Sequence, residues 1–338
     1  MYTRVHGLWF EDGGLIIKAE STIFRISKCL LAARSTFFSD MIILPPLPES
    51  DMELIDGIPV VTLPDPAKDV EVFLRAIIDS SYFMPPPKPV QLSEVLGILL
   101  LSHKYDVGYL FCRALEHLSM QFYFPLAKAY RSSKNGIEAP CHIKFSSTQP
   151  NTSELFHIIK ICKMVGADWI LPMAYYYAYY HIQQADLLSM TSEDDEYHSR
   201  LCLSASRNLI LSNLKMFYFL KTTVDDCLDS RQCNLVRQGI WSYMLTAVQE
   251  PLDVAPLDSF REDFWEQVWL DENSSQDEDE PSAFCVHCYH ATKRTHDHLL
   301  RDCWDRLPFF FCLPGWSDLE VVRQTVFGES TSGNSDEV

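Results

Sequence analysis

The sequence predicts an α+β fold in which a short sheet flanked by helices is followed by a mainly α-helical C-terminal region. From Trp9 to Ile26 apolar residues alternate and are broken by turn residues, whereas after Ile26 they recur every three or four positions. A polar, turn-rich stretch, 130–153, then separates the first part from a second half that keeps only the helical period.

Taken in order, "WF", the turn "EDGG" and "LIIKAESTIFRI" read as two strands around a glycine turn with a third close behind. Ser27 is placed to cap a helix over "KCLLAAR", and Ser35 a second over "TFFSDMI", where Phe38, Met41 and Ile42 share a face. The proline- and acid-rich "ILPPLPESDMELIDGIP" reads as an exposed loop, and "VVTL" as a short buried strand returning to the sheet. "VEVFLRAII" continues as a helix ended by "MPPPKP", and "EVLGILLLSHKY" with "VGYLFCRALEHLS" makes a helical pair. In the second of these, Val107, Leu110, Phe111, Ala114, Leu115 and Leu118 form a wide apolar face.

In the second half, "ELFHIIKICKMVGADWILPMAYYYAYYHIQQ" reads as two helices joined near Gly166 to Trp169, with Met173, Tyr176, Tyr177 and Tyr180 one above another. Further helices are expected over roughly Leu201 to Leu220 and through Val236, Ile240, Tyr243, Met244 and Ala247. These readings divide the chain into an N-terminal domain at 8–124, a linker at 125–153 and a helical region at 154–270. An acidic loop at 271–283, a compact C-terminal segment at 284–328 and a disordered tail at 329–338 complete it.

Composition narrows the function classes. With 338 residues and 47% apolar content the chain can bury sizeable cores, and no apolar run approaches the ~18 residues that a spanning helix needs. The N-terminus lacks the apolar core of a signal peptide, so an intracellular protein of cytoplasm or nucleus, with reduced thiols and no membrane partner, is expected. Net charge is −18, and eleven acidic residues against Arg261 alone lie between Asp253 and Glu280. Such a segment repels phosphate, so no direct nucleic-acid binding is expected.

The opening stretch carries a resemblance. Phe24, Lys28, Leu31, Ala32, Ala33, Ser35, Phe38 and Met41, following the strand pair, fall on a signature that resembles the core of a BTB/POZ domain. "VVTLPDPAKDVEVFLRAIIDSSYF" and "LLLSHKYDVGYLFCRALEHLS" follow in matching order, over about residues 8–124. "FEDGGLIIKAE", "LSHKYDV" and "RALEHLS" are especially similar to the expanded BTB set of mushroom-forming fungi. Two positions depart: Ser27 stands where histidine is usual and Thr36 where proline is usual. The resemblance implies protein partners, with the BTB-like domain forming a homodimer or heterodimer or docking a partner such as a cullin scaffold. It also implies service as a ubiquitin-ligase substrate adaptor or a transcriptional co-regulator. In this setting Cys29 is expected to be core or partly buried filler rather than a nucleophile.

No G-x-S-x-G elbow, G-x-G-x-x-G turn or phosphate-binding glycine loop is present, so no catalytic or cofactor-binding residue is assigned. The pattern with metal-like spacing is "CVHC", Cys285 and Cys288, with Cys227 and Cys233 in "CLDSRQC" as the nearest second pair. Together they would make a four-thiolate structural zinc site; the alternative is free thiols packed beside helix ends. The similar fungal proteins repeat such a pair of cysteine pairs. His287, His290, His296, His298 and Cys303 are substitute ligands, and a metal-dependent enzyme centred on this Cys/His cluster is the rival to an interaction protein. In "THDHLLRDCWDRLP", Leu300, Cys303, Trp304 and Leu307 share an apolar helical face, which leaves His296 and His298 as a surface pair. Arg301, Trp304, Leu307, Pro308 and Trp316 match a C-terminal block of the same fungal set and are taken as packing residues. The run "YYYAYY" holds no basic residue and reads as helix packing rather than base stacking.

Overall fold

A computed structural model describes residues 2–44, 53–123, 126, 142–147, 150–181, 193–221, 224–247, 256–257 and 284–328. The expected acidic loop and C-terminal tail, and most of the expected linker, lie outside these residues. The chain is α+β, a small sheet with its helices followed by a mainly helical region.

The sheet holds β1 (Thr3–Trp9), β2 (Leu15–Ala19), β3 (Thr22–Ile26), β4 (Leu54–Ile55) and β5 (Ile58–Leu63) in the order β1-β3-β2-β5-β4. β2 runs antiparallel to β3 and parallel to β5, and its Ile16 and Ile17 are fully buried because both faces are covered. The first strand begins six residues before Trp9 and is parallel to β3, an extension that the polar run "TRVHG" conceals. Ala19 pairs with Thr22 across a two-residue turn in which Glu20 takes a positive φ of 51°. The Glu20 carboxylate accepts from the Ala67 N–H at 3.2 Å. It thus caps α3 (Ala67–Ile78), whose preceding residue, Pro66, offers no side-chain acceptor.

Helices α1 (Lys28–Arg34) and α2 (Thr36–Ile43) begin at the two expected caps: Ser27 Oγ accepts from Leu30 N and Ser35 Oγ from Phe38 N. Ser35 also donates to the Tyr105 carbonyl at 2.5 Å, and Phe38 stacks on the Tyr105 ring. Tyr105 in turn donates to Asp65, which is paired with Lys104 at 2.6 Å. Thr36, standing where the resemblance has proline, uses its hydroxyl to bond Asp106. These contacts fasten α2 to the junction of α4 (Leu92–Lys104) and α5 (Gly108–Phe122). Cys29 is exposed, which corrects the expectation of a buried or partly buried filler. Seven residues of α1 turn Leu31 inward and Cys29 out, a phase that so short a helix does not fix in the sequence.

The helical region comprises α6 (Thr152–Met164), α7 (Leu171–His181), α8 (Glu193–Met216), α9 (Ser230–Ala247), α10 (Val286–Phe310) and α11 (Trp316–Gly328). Gly166, at φ 73°, makes the turn from α6 toward α7 that the sequence placed there. Tyr175, Tyr176 and Tyr177 of α7 are all buried, while Tyr180 is exposed. Tyr175 stacks on Phe311 and bonds His198, and Tyr177 meets Phe122 of α5 edge-on. α11 returns to the first part of the chain. Trp316 lies against Tyr123, Tyr123 donates to Glu320, and Phe327 packs on Trp169. Buried residues from Leu8 to Leu319 therefore form one continuous core. Of the expected packing block, Trp304, Leu307 and Pro308 are buried and Trp304 stacks on Trp316, but Arg301 faces solvent.

Ser35→Ala should cost about 1–3 kcal/mol, because a cap and a buried hydrogen bond are lost together, whereas Cys29→Ala should stay within about 0.5 kcal/mol. Urea unfolding followed by circular dichroism compares the two. The Arg323 guanidinium, helped by the Tyr123 hydroxyl, holds the Glu320 carboxyl down to about 2 from an ordinary 4.5. Its pKa is lowered on folding, so this contribution is present at neutral pH and lost as pH falls from 4.5 toward 2. Glu320→Gln should flatten that part of the stability–pH curve, by at most about 1 kcal/mol for so exposed a group. Parallel unfolding midpoints for the two chains at pH 6 and pH 3 measure the difference.

Candidate metal centre

Cys227, Cys233, Cys285 and Cys288 converge at the starts of two helices. Asp229 opens α9: its side chain accepts from Gln232 N at 2.9 Å and its carbonyl from Cys233 N at 3.0 Å. Cys233 thus sits in the first turn, and Cys227 lies on the turn before it, tied by its N–H to the Val224 carbonyl. At α10, Cys285 occupies the cap position and its sulfur accepts from Cys288 N at 3.5 Å. A thiol does here what serine or aspartate usually does, and this fixes both sulfurs of the C-x-x-C pair on one side of the helix start.

The four sulfurs all lie within 4.8 Å of one another. Cys227 Sγ is 3.4 Å from Cys288 Sγ and 3.9 Å from Cys285 Sγ. Zinc bonded to four thiolates at about 2.3 Å in a tetrahedron separates neighbouring sulfurs by about 3.8 Å. The cluster therefore has the donor chemistry and the dimensions of a four-thiolate site. Three of its cysteines are buried and Cys227 is half-buried.

The surroundings favour ionised sulfur at one position first. Burial works against a charged Cys285, but backbone N–H groups of Cys288 and Leu228 and the neighbouring thiols bring it down to about 6. Burial pushes Cys233 and Cys288 up. The positive ends of α9 and α10 add to the attraction for negative sulfur. A group of thiols this close cannot all ionise unless a cation joins them.

No protein-family model, curated protein or solved structure matches this chain. The cluster's chemistry is read from its own geometry.

Among the described residues, the group of side chains able to hold a metal consists of these four cysteines. The substitute ligands do not join it: His287, His290 and His298 are exposed, while His296 and Cys303 are buried further along α10. His296 is fully buried, edge-on to Phe219, so the expected surface histidine pair is corrected to one buried and one exposed residue. Its position is continuous with the apolar stripe of Leu300, Cys303 and Leu307. Burial raises Cys202 and Cys303 to about 12, which keeps these core thiols protonated. Sequence reasoning missed Arg237, whose Nη2 donates to Cys288 Sγ at 3.5 Å. The available signal was its spacing, four residues after Cys233 on the same helix face.

The purified chain should bind about one zinc ion, and cobalt substituted for it should show the absorption of a tetrahedral four-thiolate centre. Cys227→Ser and Cys285→Ser should each abolish stoichiometric uptake, while Cys29→Ala should leave it unchanged. Metal content of the gel-filtration peak decides between them.

Proposed function

We propose that the chain is a non-catalytic protein–protein interaction module whose C-terminal region is held by a structural zinc ion. Cys227, Cys233, Cys285 and Cys288 would hold the ion, which supplies cross-linking between two chain segments and no reaction step. Four thiolates fill a tetrahedral coordination sphere, and a catalytic zinc needs a position open to water or substrate. The closed donor set supports a structural role over the metal-enzyme rival.

The observation that carries the docking reading is β1. It stands at the end of the strand order, its residues are mostly exposed, and Tyr2 and Phe10 at its two ends are exposed aromatics. An edge strand offers unpaired N–H and C=O groups, and adding a strand from another chain satisfies them with specificity set by flanking side chains. The BTB/POZ resemblance of residues 8–124 points the same way, toward a homodimer or heterodimer. Service as a ubiquitin-ligase substrate adaptor bound to a cullin scaffold, or as a transcriptional co-regulator, follows from that resemblance.

Light scattering on the size-exclusion peak should give a dimer, and a Tyr2→Ser/Phe10→Ser double variant should shift it toward monomer while keeping its metal. A wild-type monomer at micromolar concentration would remove the homodimer. Pull-down with a cullin scaffold tests the adaptor form, which absence of binding would sink. Removing zinc with a chelator should loosen the C-terminal region and leave the dimer intact.

A further inference from the structure

A divalent ion held by four thiolates leaves a centre with a net charge of about −2, and burying net charge is costly unless nearby donors and cations offset it. The chain makes this harder, because its net charge is −18 and Asp225, Asp226 and Asp229 surround the Cys227 turn. Two of the sulfurs are served by backbone donors. Cys285 receives the Cys288 N–H, and Cys233 receives the Cys285 N–H at 3.3 Å. Cys288 receives a charged donor instead, Nη2 of Arg237 at 3.5 Å.

The guanidinium is held from more than one side. Its Nη1 donates to Asn234 Oδ1 at 3.3 Å, one turn back on α9, and its plane lies over the Phe284 ring at 5.3 Å. Phe284 is fully buried and immediately precedes Cys285. Arg237 thus reaches from the helix that carries Cys233 to a sulfur on the helix that carries Cys288. A planar fork fixed by a ring and an amide has little rotamer freedom left to lose when it meets a thiolate.

Resting on the metal reading above, we propose that Arg237 is a positioning residue of the metal centre, holding Cys288 as a thiolate ligand and offsetting part of the centre's negative charge. It is not a ligand itself. Outer-shell partners of this kind set ligand orientation and electron density, and their loss typically lowers metal affinity by about 10–100-fold. Donation to sulfur also stabilises the filled sulfur orbitals, so the sulfur-to-metal charge-transfer band of the cobalt form should move to lower energy when the donor is removed.

The test uses the full chain loaded with cobalt or zinc, in wild type, Arg237→Met and Arg237→Lys. Chelator competition gives affinity, absorption gives the charge-transfer band, and near-ultraviolet circular dichroism reports the fold. The expected result is an affinity about 10–100-fold lower with a red-shifted band for Arg237→Met, and partial recovery of both for Arg237→Lys. Unchanged affinity and band in Arg237→Met overturn the inference, and so does an affinity loss with an unmoved band, which marks a packing role only. If the methionine variant does not fold, Arg237→Gln replaces it under the same criteria. A wild-type chain that takes up no metal removes the metal reading itself, a result distinct from a wild-type chain that binds metal with or without Arg237.

Discussion

Four sulfur atoms within one another's reach are bound by a rule of charge: uncompensated, they keep most of their protons, and with a cation between them they become its ligands. The geometry at the starts of α9 and α10 meets that rule with converging helix ends, backbone donors and a guanidinium. It joins positions 52 residues apart, Cys233 and Cys285. Closing a loop of that length costs roughly 3–4 kcal/mol of chain entropy, a cost that a bound ion can exceed several-fold. With an ion bound there, placement of α10 against its neighbours would be tied to coordination as well as to its apolar stripe.

A second set of polar contacts does comparable work in the first part of the chain without metal. Ser35, Tyr105 and Asp65 connect a helix cap, a helix end and a loop through buried or half-buried hydrogen bonds, each donor meeting an acceptor. Such a network fixes orientation because a partly satisfied version would cost more than an apolar substitute. Surface pairs such as Arg4–Asp56, 2.9 Å apart and open to solvent, contribute little beside it.

Much of this was legible in the sequence, and the exceptions have physical causes. The caps at Ser27 and Ser35 could be read because hydroxyl side chains at a change of period have a local role. The C-x-x-C pair announced itself by spacing, while its partners Cys227 and Cys233 were found only as the nearest second pair; convergence over 50-odd residues has no local sign. His296 escapes a surface reading because the apolar face read from Leu300 onward extends one turn further back, where a buried histidine carries no hydrophobic sign in the sequence. Cys29 was misplaced because two turns of helix leave the inward direction undetermined. β1 began earlier than read because an exposed strand carries no apolar alternation. The BTB/POZ resemblance, carried by eight residues and two later segments, is of another kind: it supplies an expectation about partners that burial and distance do not address.

The return of α11 has a consequence for how the chain is made. Tyr123, at the end of α5, finds its partner Glu320 197 residues later. At synthesis rates of about 5–20 residues per second, the end of α5 waits roughly 10–40 s on the ribosome before the helix that covers it emerges. Trp169 waits in the same way for Phe327. During that interval a half-made chain shows aromatic surface that the finished one covers, so the last helix to be made is also the one that closes the core over Tyr123 and Trp169.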